Sequence, residues 1–189
     1  MRALVLLVSL FIPLISHAYT LGGTITGFTG SSSTYLILRL NNTTSRIVPA
    51  NATSYRFSTQ FITGQPYTVS IGIQPAGLRC TMINNIGVFQ TSNITNANIT
   101  CVPLVSTQVS WTLPTQNTDG TPLTDLTGYV LYYGTDPTFT TKVVKLISAP
   151  ALSTTVTNLT KGNTYYFAIS SVSASGGVGP RSNAASIIL

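Results

Sequence analysis

Apolar and polar residues alternate with a period of two along most of the chain. Leu36, Leu38 and Leu40 are interleaved with Tyr35, Ile37 and Arg39. Tyr55 and Phe57 flank Arg56, and Tyr67, Val69, Ile71 and Ile73 make a longer run. Ala97, Ile99 and Cys101 repeat the spacing, as do Tyr129, Leu131 and Tyr133, and then Tyr165, Phe167 and Ile169. An extended strand sends successive side chains to opposite faces, so each run predicts a half-buried strand. Gly22-Gly23, Gly30 with its following serines, Asn41-Asn42, Gly64-Gln65-Pro66 and Pro75-Ala76-Gly77 supply breaks between runs. No segment has the period of an amphipathic helix. The pattern predicts an all-β protein.

The beginning of the chain reads differently. Arg2 is followed by an apolar stretch from Leu4 to Ile15 and by Ser16-His17-Ala18, a small-x-small cleavage pattern. Residues 1–18 therefore read as a cleaved signal peptide, which predicts a secreted or periplasmic protein. The stretch is too short to span a bilayer, and no later segment reaches the roughly 20 apolar residues needed. Two cysteines remain, Cys80 and Cys101. An even number in an exported chain predicts a disulfide between them.

Two resemblances divide the remainder. The first rests on Leu21-Gly22-Gly23-Thr24-Ile25-Thr26-Gly27, Gly64-Gln65-Pro66-Tyr67-Thr68-Val69, Gln74-Pro75-Ala76-Gly77-Leu78-Arg79-Cys80 and Ile94-Thr95-Asn96-Ala97-Asn98-Ile99-Thr100-Cys101. On these residues, 19–102 resembles a small immunoglobulin-like β-sandwich of secreted bacterial proteins. The resemblance implies an extracellular module without catalytic residues.

The second rests on Val109-Ser110-Trp111, on Leu126 to Gly134, on Leu159 to Phe167 and on Gly177-Val178-Gly179-Pro180-Arg181-Ser182. Their order and spacing resemble strands B and C, the E–F corner and the approach to strand G of a fibronectin type III domain over 103–189. In that reading the Tyr165 hydroxyl bonds to backbone a few residues upstream, a tyrosine corner. Trp111 supplies a large buried ring. Lys161 stands where the family's corner carries proline. Only about ten residues separate Cys101 from Trp111. Strand A is thus expected to be short or absent, its place open to the linker Val102–Thr107. Pro103 stiffens that linker. The family resemblance implies a spacer or binding scaffold. The whole is expected to be two β-sandwich domains in tandem, immunoglobulin-like and then fibronectin type III-like.

The chemistry narrows the function further. The only histidine is His17, and glutamate is absent. General acid–base and nucleophilic catalysis need a histidine or carboxylate beside the reacting group. The three carboxylates, Asp119, Asp125 and Asp136, sit in turn sequences such as Asp119-Gly120 and Asp136-Pro137. No His/Cys cluster has metal-ligand spacing. The expectation is a protein without enzyme activity, cofactor or metal. It has no basic run or aromatic motif for nucleic acid. Asn41, Asn42, Asn51, Asn93, Asn98 and Asn158 open N-x-T sequons, which asparagine- and threonine-rich strands also generate by chance.

The formal charge is +6, and four arginines precede Val102 with no acid among them. If Leu36, Leu38 and Leu40 face the core, Arg39 faces solvent, and the same argument exposes Arg56. If both strands share a sheet, Arg39 and Arg56 project from one outer face, with Arg46 on the turn between. Such a face suits sulfate, phosphate or carboxylate groups. Arginines that merely keep an uncharged sandwich soluble explain the same pattern. The predicted function is an exported, non-catalytic interaction or adhesion module binding an extracellular protein or polysaccharide, with anionic partners among the candidates. The alternative is a carbohydrate-binding accessory protein, with Tyr132 and Tyr166 as an outer aromatic platform.

Overall fold

The computed structural model describes residues 18–189. The predicted signal peptide falls, apart from Ala18, outside the described residues. The described chain is all-β, with thirteen strands and no helix. It divides into two compact units. One holds the residues up to Gln74 with Cys80–Thr100, the other Pro75–Arg79 with Cys101–Leu189.

In the first unit, β1 (Gly22–Thr26) pairs antiparallel with β4 (Ser54–Arg56). It also pairs in parallel with the start of β8 (Ile99–Ser110), Ile25 opposite Ile99. The other sheet has the order β3 (Thr44–Pro49), β2 (Tyr35–Leu40), β5 (Pro66–Ile73), β7 (Ile86–Val88). The alternation buries what it predicts: Leu36, Leu38, Leu40, Tyr55, Phe57, Tyr67, Val69, Ala97 and Ile99 are all core residues. The period holds only for the first half of β5. Ile71 is half-buried and Ile73 exposed. The β2–β5 register shifts between Ile37 and Leu38, opposite that end of the strand. β6 (Leu78–Met82) flanks β8. The two cysteines form the expected disulfide, and both are buried.

In the second unit, β8 pairs antiparallel with β11 (Ser153–Thr160). The other sheet runs β10 (Val143–Ser148), β9 (Leu126–Gly134), β12 (Thr164–Ser173), β13 (Ala185–Ile188). Leu131, Val156, Leu159, Tyr165 and Phe167 form the core, with Val105, Val109 and Ile169 packed against it half-covered. β8 and β11 take the places of strands B and E, and the four-stranded sheet those of C′, C, F and G.

The linker expectation is corrected here. Residues Val102–Thr107 do not supply strand A. They lie inside β8, one strand of 12 residues that pairs with β11. Pro103 is tolerated because its carbonyl does the pairing, accepting a bond from Lys161 N–H at 2.9 Å. Strand A is absent.

The tyrosine corner is present. Tyr165, at the start of β12, is buried and its Oη accepts a hydrogen bond from Thr160 N–H at 2.9 Å. Gly162 makes the turn with φ of 90°, a left-handed conformation that glycine adopts without strain. The corner needs that turn and the hydroxyl, and neither requires the proline that Lys161 replaces. Tyr165→Phe leaves the Thr160 N–H without its acceptor. We expect it to destabilise the second unit by about 1–2 kcal/mol, seen as a lower urea midpoint with an unchanged slope.

Candidate functional site

Three surfaces bear on the predicted chemistry, and the arginines come first. β2 and β3 are antiparallel neighbours, with Leu38 opposite Arg46 and Arg39 opposite Ser45. Directly opposed residues share a face of the sheet. Arg46 therefore stands on the face of Leu38, which is the core face, and Arg39 on the other. Arg46 is exposed despite its face because β3 is the edge strand. Arg46 lies within β3 and not on a turn, which corrects the sequence reading. Arg56 belongs to neither strand's sheet: β4 pairs with β1, and Arg56 lies opposite Gly22. The three arginines do not share one outer face.

Two of them nevertheless converge. Arg46 and Arg56 line one groove together with Thr20, Gly22, Thr24 and Thr95. The backbone of β4 approaches Gly22 so closely that a Cβ there would stand 2.3 Å from the Tyr55 carbonyl oxygen, so the groove floor is bare backbone. Neither guanidinium has a hydrogen-bond partner within the described residues. Every acid of the chain lies at Asp119 or later, so this unit holds no carboxylate to neutralise them. Arg39 goes elsewhere. Its Cγ and Nε lie 3.0 Å from where a Gly72 Cβ would be, so the side chain lies along β5.

Beneath the groove the Tyr55 hydroxyl donates to the Ala97 carbonyl at 2.7 Å. Burial, with the neighbouring Tyr67 second, pushes its pKa above the ordinary phenol value. It is a structural donor.

The second surface is a groove of the second unit, of about 500 Å³. Val109, Trp111, Tyr129, Leu131 and Phe167 line it, with Arg181 at one side. Trp111 packs edge-on against Tyr129, ring centres 5.1 Å apart. Trp111 is half-buried and not fully covered, which corrects the sequence expectation, and the missing strand A is the reason. Arg181 stacks over the rings of Tyr132 and Phe139 at 5.6 and 5.3 Å. That contact takes one face of Tyr132, which the sugar-platform reading needs. The short interval from Cys101 to Trp111 points to the missing strand that opens this groove, but no motif marks the groove itself.

The third surface is the set of carboxylates. Asp119 accepts bonds from Thr121 N–H at 3.0 Å and Thr121 Oγ1–H at 2.6 Å. Those two bonds hold its pKa below the ordinary value, the side-chain bond contributing most. Asp136 Oδ2 accepts from Thr141 N–H at 3.0 Å, while its Oδ1 accepts from Thr138 N–H at 2.9 Å and from Thr138 Oγ1–H at 2.7 Å. The Thr141 bond first, then those from Thr138, lower its pKa from 3.8 to about 2. The folded turn favours the carboxylate, so its contribution is present above 3.8 and is lost as pH falls toward 2. An NMR titration of the Asp136 carboxyl should show a midpoint near 2, with the Thr141 amide shift following it. No group of three or more potential metal ligands occurs among the described residues.

The sequon asparagines have structural work of their own. Asn41, Asn42, Asn51 and Asn158 have φ between 49 and 63°, the left-handed region that asparagine tolerates. Asn93 and Asn98 accept bonds from Thr20 and Thr24 N–H at 2.8 and 3.0 Å.

No family model matches the sequence, and no curated protein matches it. Solved structures do show likeness. The third fibronectin III domain of human KIAA0343 protein is 16% identical, with a TM-score of 0.35 over 46% of this chain and 76% of that one. The two-domain fibronectin type III segment of chicken tenascin is 17% identical, with a TM-score of 0.36 over 85% of this chain and 86% of that one. A DUF3823 family protein from Bacteroides ovatus is 14% identical, with a TM-score of 0.29 over 92% of this chain and all of that one. Scores this low add no weight to a function. The fibronectin type III reading of the second unit rests on its strand order and on the Tyr165–Thr160 bond.

Proposed function

We propose that the chain is an exported, non-catalytic interaction module whose first unit holds an anionic extracellular partner in the groove between Arg46 and Arg56. The observation that carries this reading is the convergence of those two arginines, from strands of different sheets, on one open groove in a unit without acids. A guanidinium presents a planar fork that pairs with sulfate, carboxylate or phosphate through two parallel bonds. Two forks at one groove suit a polymer that repeats such groups, and an acidic polysaccharide fits best. Asp119 and Asp136 spend their oxygens on loop hydrogen bonds, which supports a binding role over a catalytic one.

Retention on a heparin column as salt is raised tests the site. Binding through several exposed charges weakens steeply with ionic strength. Arg46→Ala with Arg56→Ala should elute at much lower salt than the parent chain. Arg39→Ala should elute with the parent, because Arg39 lies on the other face. Lys142→Ala with Lys145→Ala serves as the charge-matched control. Lys142 Nζ donates to the Phe139 carbonyl at 3.0 Å, and Lys145 Nζ to Thr154 Oγ1 and the Thr155 carbonyl at 2.8 Å each. Equal losses from the arginine and lysine pairs would mean that net charge alone governs retention and that there is no site.

A further inference from the structure

In the sheet β10-β9-β12-β13, Val144, Tyr132 and Ala168 stand opposite one another in one row, and Leu146, Val130 and Ser170 in another. Opposed residues share a face, and neighbours along a strand alternate, so this face is turned away from Tyr129, Leu131 and Phe167. Tyr166, two residues before Ala168, lies on it too, diagonal to Tyr132.

Arg181 lies across this outer face. Ser182 N–H donates to the Ile169 carbonyl at 2.8 Å, so Arg181 starts from the β13 side of β12. Its guanidinium carbon stands 5.6 Å from the centre of the Tyr132 ring, on β9, at the other side of β12. The side chain therefore crosses β12, and Ala168 and Ser170 along its path are buried. Ser170 Oγ has no hydrogen-bond partner, so it does not hold the guanidinium. The rings do, and Phe139 is the second, at 5.3 Å.

The loop that supplies Phe139 fixes it in place. Its φ is 57°, a left-handed conformation that is strained for a bulky side chain and persists only where the surroundings hold it. Phe139 N–H donates to the Asp136 carbonyl at 3.1 Å, and the Phe139 carbonyl accepts from Lys142 Nζ at 3.0 Å. Both oxygens of Asp136, the acid of this loop, are spent on Thr138 and Thr141. Arg181 is thus exposed, oriented by two rings, and without a hydrogen bond or ion pair among the described residues. A guanidinium has five N–H donors and no acceptor, so an oxyanion is the partner it lacks. Beside it Tyr166 is half-exposed, with no ring or cation against it. Its neighbour across the strands is Gly134, which has no side chain to cover it.

We propose that this outer face binds an acidic sugar, a uronic acid unit of a polysaccharide, with its carboxylate on the Arg181 fork and the apolar face of its ring on Tyr166. The fork pairs with a carboxylate through two parallel bonds. The C–H face of a sugar ring packs on the electron-rich face of an aromatic ring. Tyr132 and Phe139 position Arg181 and touch no sugar. Because they already orient the guanidinium, it loses little freedom on binding. The two contacts select one ligand chemistry. A neutral sugar leaves the fork without its partner, and a bare carboxylate leaves Tyr166 uncovered. The site does not depend on the Arg46–Arg56 groove.

The test uses the full chain carrying Arg46→Ala and Arg56→Ala, so that the first unit's groove contributes nothing. It is titrated with a galacturonic acid trimer and followed by NMR. The trimer should move the Arg181 Nε–H and Tyr166 ring resonances. Its methyl-esterified counterpart, which has no charge, should bind at least about tenfold more weakly, or about 1.4 kcal/mol. Arg181→Lys keeps a stem across β12 and the charge but not the fork. It should weaken the acidic trimer about tenfold and leave the ester unchanged. Tyr166→Ala should weaken acid and ester alike. Protection of the Thr160 amide at the tyrosine corner reports that each variant has folded. The proposal is overturned if acid and ester bind equally, or if acetate alone binds as tightly as the trimer, which would leave a bare surface cation. It is overturned equally if the trimer moves neither Arg181 nor Tyr166, whatever the heparin column shows for Arg46 and Arg56.

Discussion

Phe89→Ala should destabilise the first unit by about 3–5 kcal/mol, the range for removing a fully buried aromatic ring. Phe89 has no exposed surface. Its ring stacks on Phe61 at 4.3 Å, meets Tyr67 edge-on at 5.4 Å and lies 6.5 Å from Tyr19. It sits just past β7, in a loop pinned on both sides. Phe89 N–H donates to the Gln65 carbonyl at 2.9 Å, and the Phe89 carbonyl accepts from Gly64 N–H at 2.8 Å. Those bonds keep the loop from collapsing into the space the ring vacates, which places the cost toward the upper end of the range. Trp111, the sole tryptophan, belongs to the second unit. Its fluorescence in guanidinium follows that unit, and far-ultraviolet circular dichroism follows both. The variant should shift only the dichroism component that fluorescence does not see.

The second large effect is the disulfide. Cys80 and Cys101 close a loop of about 20 residues, and in the chain-entropy model such a link contributes about 3 kcal/mol by restricting the unfolded chain. The native geometry around it is well held. Gln74 Oε1 accepts from Cys80 N–H at 2.8 Å, and Gln74 Nε2 donates to the Cys80 carbonyl at 2.9 Å. Cys80→Ala with Cys101→Ala should lower the denaturation midpoint of the chain by an amount matching that figure. The oxidised parent, denatured without reductant, should show no free thiol. Gln74→Ala should cost less than the double cysteine change, because it removes two hydrogen bonds and leaves the loop closed.

Alternation in the sequence identifies faces but not partners, and that is where reading stops. Leu36 to Leu40, Tyr67 with Val69, and Tyr165 with Phe167 bury as their period requires, because one apolar face must be covered whichever strand lies beside it. The tyrosine corner is legible since all its parts lie within a few residues. The arginine face is not. Whether Arg39 and Arg56 are neighbours depends on β4, three residues long, pairing with β1 instead of β2, and nothing local in Ser54–Arg56 decides that. Arg46 reads as a turn residue because Asn41 and Asn42 carry the turn so early that the next strand has already begun at Thr44. Four of the N-x-T sequons, at Asn41, Asn42, Asn51 and Asn158, fall on asparagines that take left-handed turns. The second groove was illegible for a different reason. The short interval from Cys101 to Trp111 announces a missing strand, yet only the registers of β8 with β11 and of Leu104 with Gly77 show which backbone groups that leaves unpaired.

The absence of strand A from the second unit is the claim on which most depends, and amide hydrogen exchange along β8 of the unliganded chain tests it most directly. Thr107, Val109 and Trp111, bonded to β11, should exchange slowly, and Ser106, Gln108 and Ser110 between them quickly, a protection pattern with a period of two. Uniformly slow exchange from Ser106 to Trp111 would contradict the account, because it would mean that a strand already lies along that edge of β8.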